Sequence, residues 1–244
     1  MTEVADCVFL VGGTEVNWVL LRDGTDVTVV DGGYLGDFAA VEASLHAIGA
    51  RPEDVRAVLL THAHVDHLGA ATRFPEGYGT PLYTDPIEVR HARREYLEQA
   101  GPLDVAKNLW RPGVLPWTVR IMRVGAAKKV SAPRAEPFPA EGALDLPGAP
   151  VPVPTHGHTS GHTAYHLPQA GVVITGDELI TAHAVSKLRG PQLIGSMFTP
   201  TNSDPAAALA LLATLDADVV LPGHGPVHRG PVSAAVATAL ERAS

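Results

Sequence analysis

Cysteine is almost missing from this chain of 244 residues, where Cys7 stands alone. One thiol makes no intrachain disulfide and no thiolate metal site, so any bound metal must rely on histidine and carboxylates. The thiol itself is expected to pack in a strand. A basic surplus is missing too. The formal charge is −8, whereas a protein that tracks phosphates carries a basic face strong enough to show in the total. No nucleic-acid partner is expected. No segment approaches the ~20 apolar residues that span a bilayer, and Met1–Asp6 offers no cationic start to an apolar leader. The expectation is a cytoplasmic protein without a membrane partner. A Gly-x-Ser-x-Gly element is absent, as is any repeat relating the two halves residue by residue.

Histidine, in contrast, is abundant: the chain has 12. This side chain is the common neutral metal ligand and the general base available near neutral pH, so placement decides what these residues do. The length and the 45% hydrophobic content suit one α/β domain with a substantial core. Apolar, β-branched runs at Cys7–Val11, Val16–Leu21 and Val27–Val30, separated by Gly12-Gly13 and Asp23-Gly24, read as an antiparallel meander. Phe38, Val41, Leu45 and Ile48 recur at helical spacing before Gly49. Val55–Leu60 reads as a buried strand that ends where the His-rich run begins.

From about residue 85 to 146 the pattern loosens into a charged helix over Ile87–Glu98 and then a proline-rich stretch holding Trp110 and Trp117, read as a lid-like insertion. Strands at Val151–Pro154, Thr163–Leu167, Gly171–Thr175 and Val219–Leu221 follow, with helices over Pro205–Leu215, opened by Asp204, and over Val232–Arg242. Two β-rich halves with outer helices predict a four-layer αββα sandwich, a single domain over 1–244.

Thr61-His62-Ala63-His64-Val65-Asp66-His67 sets three imidazoles and a carboxylate at the mouth of an apolar strand. Burying so many polar groups without partners costs several kcal/mol, which argues for ligands rather than a structural role. From an extended loop, His62 and His64 can point one way and leave Asp66 and His67 to reach a second ion. The run resembles the His-x-His-x-Asp-His signature of the metallo-β-lactamase fold superfamily. Three later blocks are similar to that family's remaining motifs, in its order: Thr155-His156-Gly157-His158-Thr159-Ser160-Gly161-His162, Thr175-Gly176-Asp177 and Pro222-Gly223-His224-Gly225.

The resemblance implies His62, His64 and His158 on one metal, Asp66, His67 and His224 on the other, and Asp177 bridging. It implies two zinc ions, a choice that imidazole and carboxylate donors suit, although iron and manganese also accept nitrogen and oxygen ligands. The implied activity is hydrolysis of an ester, lactone or thioester carbonyl by metal-bound hydroxide, with Asp66 as the catalytic proton acceptor, in the glyoxalase II or lactonase-like branch. Alternatives on the same fold are an iron-dependent persulfide dioxygenase or oxygenase and a β-lactam hydrolase. The commonest true β-lactamases place a cysteine where this chain has Asp177, which turns the expectation away from that activity. The glyoxalase II glutathione grip comes partly from a helical extension after the last histidine, and only 20 residues follow His224.

Other histidines receive lesser roles. His162 matches a position that orients a ligand through a hydrogen bond. His156 and His183 are expected at the surface, with substrate contact the less favoured reading for His183. His46, His91, His166 and His228 are read as structural or exposed. Asp31 resembles the family's supporting carboxylate, and an Asp-Gly turn explains it as well. Residues 85–135 hold ten Lys or Arg and five acids, +5 in a chain of −8. Folded over the metals, this segment would gather an anionic or amphipathic small-molecule substrate; as a solvated basic surface, its two tryptophans would anchor it. A homodimer is left open.

Overall fold

The computed structural model describes residues 1–199 and 204–243. Among these, β1 (Thr2–Ala5), β2 (Val8–Gly12), β3 (Asn17–Asp23), β4 (Asp26–Val30), β5 (Val55–Leu59), β6 (Leu82–Thr84) and β7 (Ala135–Pro137) lie side by side in chain order. The second sheet takes β8 (Val151–Pro154), β9 (Thr163–Leu167), β10 (Val172–Gly176), β11 (Val219–Pro222) and β12 (His228–Arg229), in reverse order across the sheet. The helices are α1 (Phe38–Ala47), α2 (Val65–Leu68), α3 (Arg73–Gly77), α4 (Pro86–Ala92), α5 (Pro102–Asn108), α6 (Val114–Arg123), α7 (Pro205–Leu212) and α8 (Val232–Ala243).

β1 to β4 pair antiparallel and β4 to β7 parallel. The switch follows from the connections. Asp23-Gly24 makes a tight turn between β3 and β4, while the parallel pair β4–β5 needs a longer crossover, which α1 supplies. β10 and β11 are likewise parallel, with α7 in the crossover.

Alternating side chains serve three apolar layers. In β3, Trp18 and Leu20 face α1 residues Val41 and Leu45, while Val19 and Leu21 face Tyr165, Val172 and Ile174 of the second sheet. Val173 and Val220 turn outward onto Leu209 and Leu212 of α7 and Val236 of α8. Helix, sheet, sheet, helix: the expected αββα sandwich is the observed one. Each fully buried Val or Leu contributes about 1.5–3 kcal/mol, which makes these three layers the principal source of stability.

Several expectations need correction. β1 gives no strand signal in the sequence because an edge strand with Thr2 and Glu3 exposed shows one inward apolar residue, Val4. Cys7 sits on the turn between β1 and β2 at φ 57°, not in a strand. The helix expected over Ile87–Glu98 stops at Ala92, and Arg94 at φ 62° turns the chain away. The 85–146 segment is also less separate than an insertion: β7 inside it pairs with β6, and Ala92, Val130, Ala132 and Ala135 join the core under the first sheet.

Helix α6 starts a smaller cluster in which Val114, Trp117 and Ile121 pack on Val16 and Tyr34. Trp117 is therefore an anchor, whereas Trp110 is 81% exposed and anchors nothing. No helix among the described residues is long and apolar enough to cross a membrane.

Candidate metal centre

The ligand loops leave one edge of the sandwich. β4 runs into Asp31, β5 into Thr61–His67, β10 into Asp177 and β11 into His224, while the β8–β9 connection carries His158 and His162. Backbone hydrogen bonds join the sheets at this edge, from Thr163 N–H to the Thr61 carbonyl at 2.9 Å and from Asn17 N–H to the Gly223 carbonyl at 2.8 Å.

All seven predicted ligands meet there, in two groups. Donor atoms of His62, His64, His158 and Asp177 lie within 4.8 Å of one another, as do those of Asp66, His67 and His224. Asp177 stands between the groups. Its Oδ1 is 3.3 Å from His67 Nε2, and its Oδ2 is 3.1 Å from His224 Nε2, 3.6 Å from His158 Nε2 and 3.9 Å from His62 Nε2. Asp66 Oδ2 lies 3.5 Å from His224 Nε2 and 4.0 Å from His67 Nε2.

The donor set fits a divalent cation. His62 Nε2, His67 Nε2 and Asp177 Oδ1 are buried and lack hydrogen-bond partners, an arrangement that native structures rarely leave without a ligand, water or ion. Burial, followed by the neighbouring imidazoles, pushes His62 and His158 well below the ordinary histidine value. Burial opposes the charge of Asp177, yet His224 and His67 hold its carboxyl well below the usual range. Against their own burial, Asp177 raises His67 and His224, so these two rings must give up a proton to become ligands, whereas His62 and His158 are already neutral.

A second layer aims the ligands. Asp31, held at φ 63°, accepts from Thr61 N–H, Thr61 Oγ1 and His67 Nδ1, each at 2.8 Å. Thr61 Oγ1 in turn lies 3.0 Å from His62 Nδ1. The turn reading of Asp31 gives way to a carboxylate that orients two ligands, and its left-handed backbone is tolerable because Asp visits that region more readily than most residues. His224 Nδ1 meets the Glu15 carbonyl at 2.6 Å. His162 takes the supporting place expected of it: Nδ1 pairs with Thr155 Oγ1 at 2.9 Å and Nε2 accepts the Asp177 N–H at 3.2 Å. Its burial lowers it to about 4, leaving the ring neutral.

His183 is the clearest correction. It is buried, with its ring 4.8 Å from His224, 5.0 Å from Phe198 and 5.9 Å from Trp117. Burial, then His224, lowers it to about 3. Packing by α6, which no local pattern announces, keeps it from solvent. His91 is buried too, whereas His156 stays at the surface against Asp85.

Three more site residues carried no motif. Tyr34 is buried and its phenol raised well above the ordinary value by burial, then by Asp66 and Asp177. Glu178 accepts the His158 N–H at 2.8 Å, and burial raises it to about 8. Glu88 accepts from both ligand loops.

Gly223 belongs to the site through what it lacks. A Cβ there would lie 2.3 Å from Asp177 Oδ1 and 2.8 Å from His67 Cε1, so the β11 loop approaches the donors this closely with glycine alone. A separate depression lined by Thr72, Glu76 and Arg134 holds none of the ligands.

The family profile described as the Metallo-beta-lactamase superfamily matches residues 11–224. A probable metallo-hydrolase of Bacillus subtilis (strain 168), YflN, is 26% identical over 181 residues, which cover 70% of this chain and 64% of that protein, so the match spans less than two thirds of YflN. A hydroxyacylglutathione hydrolase of Fuscovulum blasticum is 27% identical over 187 residues, 76% of this chain and 53% of the relative. A metallo-beta-lactamase family protein of Thermus thermophilus shares the fold, with TM-score 0.65 at 24% identity over 97% of this chain and 79% of that one. With the profile running from β2 through β11 and taking in every ligand loop, the chain belongs to the metallo-beta-lactamase superfamily.

Proposed function

We propose that this metallo-hydrolase is dinuclear and cleaves an ester, lactone or thioester carbonyl. The observation that carries the reading is the position of Asp177, whose two oxygens face donors of both groups. The donor chemistry, imidazole and carboxylate without thiolate, favours zinc over magnesium or calcium, and iron or manganese remain compatible. Ions held there would supply Lewis acidity that acidifies water and polarises a carbonyl, so that neither serine nor cysteine would be needed as nucleophile.

The protein side of the reaction falls to a few groups. Asp66, 16% exposed at its side chain, opens to the cleft more than Asp177 at 2%, and is placed to take a proton from the attacking oxygen and return it to the departing oxygen or sulfur as the carbonyl re-forms. Tyr34 offers an uncharged hydroxyl beside the two carboxylates. His183, Trp117 and Phe198 form an aromatic wall next to His224, which shelters the acyl part of a substrate and excludes water.

The segment 85–146 covers this mouth through α6. Lys107 and Arg111 with exposed Leu103, Trp110 and Leu115 would gather an anionic or amphipathic small molecule. The Fuscovulum relative is named for a hydroxyacylglutathione, which supports an acyl carbonyl as the bond attacked. Metal quantification with a panel of lactones, thioesters, β-lactams and phosphodiesters tests the reading. Two metals per chain with turnover of an acyl carbonyl are expected; less than one metal at full activity would overturn it.

A further inference from the structure

The first donor group is braced from behind by residues of the segment that looks like an insertion. Glu88, on α4, is fully buried and accepts four hydrogen bonds. Oε1 takes Ala63 N–H and His91 Nδ1, each at 2.7 Å; Oε2 takes Thr159 Oγ1 at 2.9 Å and Gly161 N–H at 3.1 Å. Ala63 lies between ligands His62 and His64, and Thr159 follows ligand His158. One carboxylate therefore ties together two loops almost a hundred residues apart. The approach is tight: a Cβ on Gly161 would lie 2.4 Å from Glu88 N.

From His91 a chain of hydrogen bonds continues to His64, and the donors in it are fixed by chemistry. The Glu98 N–H lies 3.2 Å from His91 Nε2. A backbone amide only donates, so His91 Nε2 accepts and the ring proton sits on Nδ1, where it is given to Glu88. The Glu98 carbonyl lies 2.5 Å from His64 Nε2. A carbonyl only accepts, so His64 carries its proton on Nε2 and keeps a lone pair on Nδ1, which stands 3.1 Å from His158 Nε2 inside the cluster. The Glu98 carboxylate meanwhile holds the second loop, through Ser160 N–H at 2.8 Å and Ser160 Oγ at 2.6 Å.

We propose that Glu88 is a positioning residue which, through His91 and the Glu98 backbone, sets the tautomer of His64 and holds the His64 and His158 loops in register for the first metal. The proposal rests on reading the cluster as a metal centre. It assigns segment 85–98 to the back wall of the site, apart from whatever α5 and α6 do at its mouth. Four donors converge on Glu88, so an amide in its place would turn an NH2 toward other donors and release part of the brace.

The test uses the full chain with and without metal. In the metal-free protein, long-range 1H–15N NMR correlations should find His91 protonated on Nδ1 and His64 on Nε2. Glu88→Gln and His91→Gln should both move His64 to a mixture of tautomers, and chelator competition should show the first zinc equivalent weakened roughly 10- to 100-fold with the second changed less. An unchanged His64 tautomer in both variants would overturn the relay, as would equal weakening of both zinc equivalents, which marks a general structural role. Should Glu88→Gln fail to fold, His91→Gln alone decides, because it leaves the Ala63, Thr159 and Gly161 bonds to Glu88 intact. A wild-type chain that takes up no zinc would sink the metal reading instead, and the metal-free tautomers would still judge the relay.

Discussion

The two donor groups are built to different standards. In the first, His62, His64, His158 and Asp177 are all buried, and Glu88 and Glu178 reach behind them, while Asp31 braces both groups, His62 through Thr61 and His67 directly. In the second, His67 and His224 are buried but Asp66 is partly open to the cleft, and beyond Asp31 behind His67 the neighbours on that side are Tyr34, His183, Trp117 and Phe198. Fixed hydrogen bonds suit a group whose task is to hold its shape; an open carboxylate beside an aromatic wall suits one that meets substrate. The comparison separates holding from reacting within a few ångströms.

The change that tests it hardest is Asp177→Ala, which removes the one residue shared by both groups. Turnover should fall on the order of 10³-fold, equivalent to about 4 kcal/mol of transition-state stabilisation, and bound metal per chain should fall with it. Survival of both metals would show that the groups do not depend on a shared ligand. Asp66→Ala comes next, with turnover reduced roughly 10²-fold, on the scale of a general acid–base contribution. The first metal and the circular-dichroism melting curve should stay nearly unchanged. Retained turnover would take Asp66 out of the proton path.

Asp31→Asn strikes the carboxylate behind His62 and His67, and 10- to 100-fold weaker metal binding in chelator competition is expected. A smaller effect is expected from His183→Ala, which should raise KM several-fold, roughly 1 kcal/mol of substrate contact, with metal content unaltered. Trp110→Ser should move stability by no more than about 0.5 kcal/mol, as exposed substitutions usually do, and any effect should fall on KM for apolar substrates. Equal losses from His183→Ala and Asp31→Asn in metal binding would erase the distinction between neighbours that brace ligands and neighbours that meet substrate.

The legible part of the site was the part carried by contiguous residues at strand ends. His62 to His67 form one run where β5 ends and Asp177 follows the apolar β10, so a strand end fixes their direction, whereas His158 and His224 were legible through the motifs they share with the family. The sandwich was legible for the same reason, since β3, β4, β5 and β10 are apolar runs with turn signals around them. What escaped depends on packing between distant segments. Glu88 meets Ala63 and Thr159, 25 and 71 positions away, and on its own helix it resembles an ordinary exposed acid. His183 is indistinguishable from a loop histidine until Trp117 arrives. The short strands β1 and β7 lie at the two edges of their sheet, where one-sided burial leaves too few apolar residues to make a pattern.

Gly223 carries a consequence of a different sort. A methyl group at this position would occupy space next to Asp177 Oδ1 and His67 Cε1, so the closeness of the two donor groups is set partly by a hydrogen atom where other residues have carbon. A survey of every substitution along the chain should therefore find this position as intolerant as the ligands, although it offers no lone pair, no proton and no charge. The dimensions of the reaction space are written in an omission as much as in the side chains that line it.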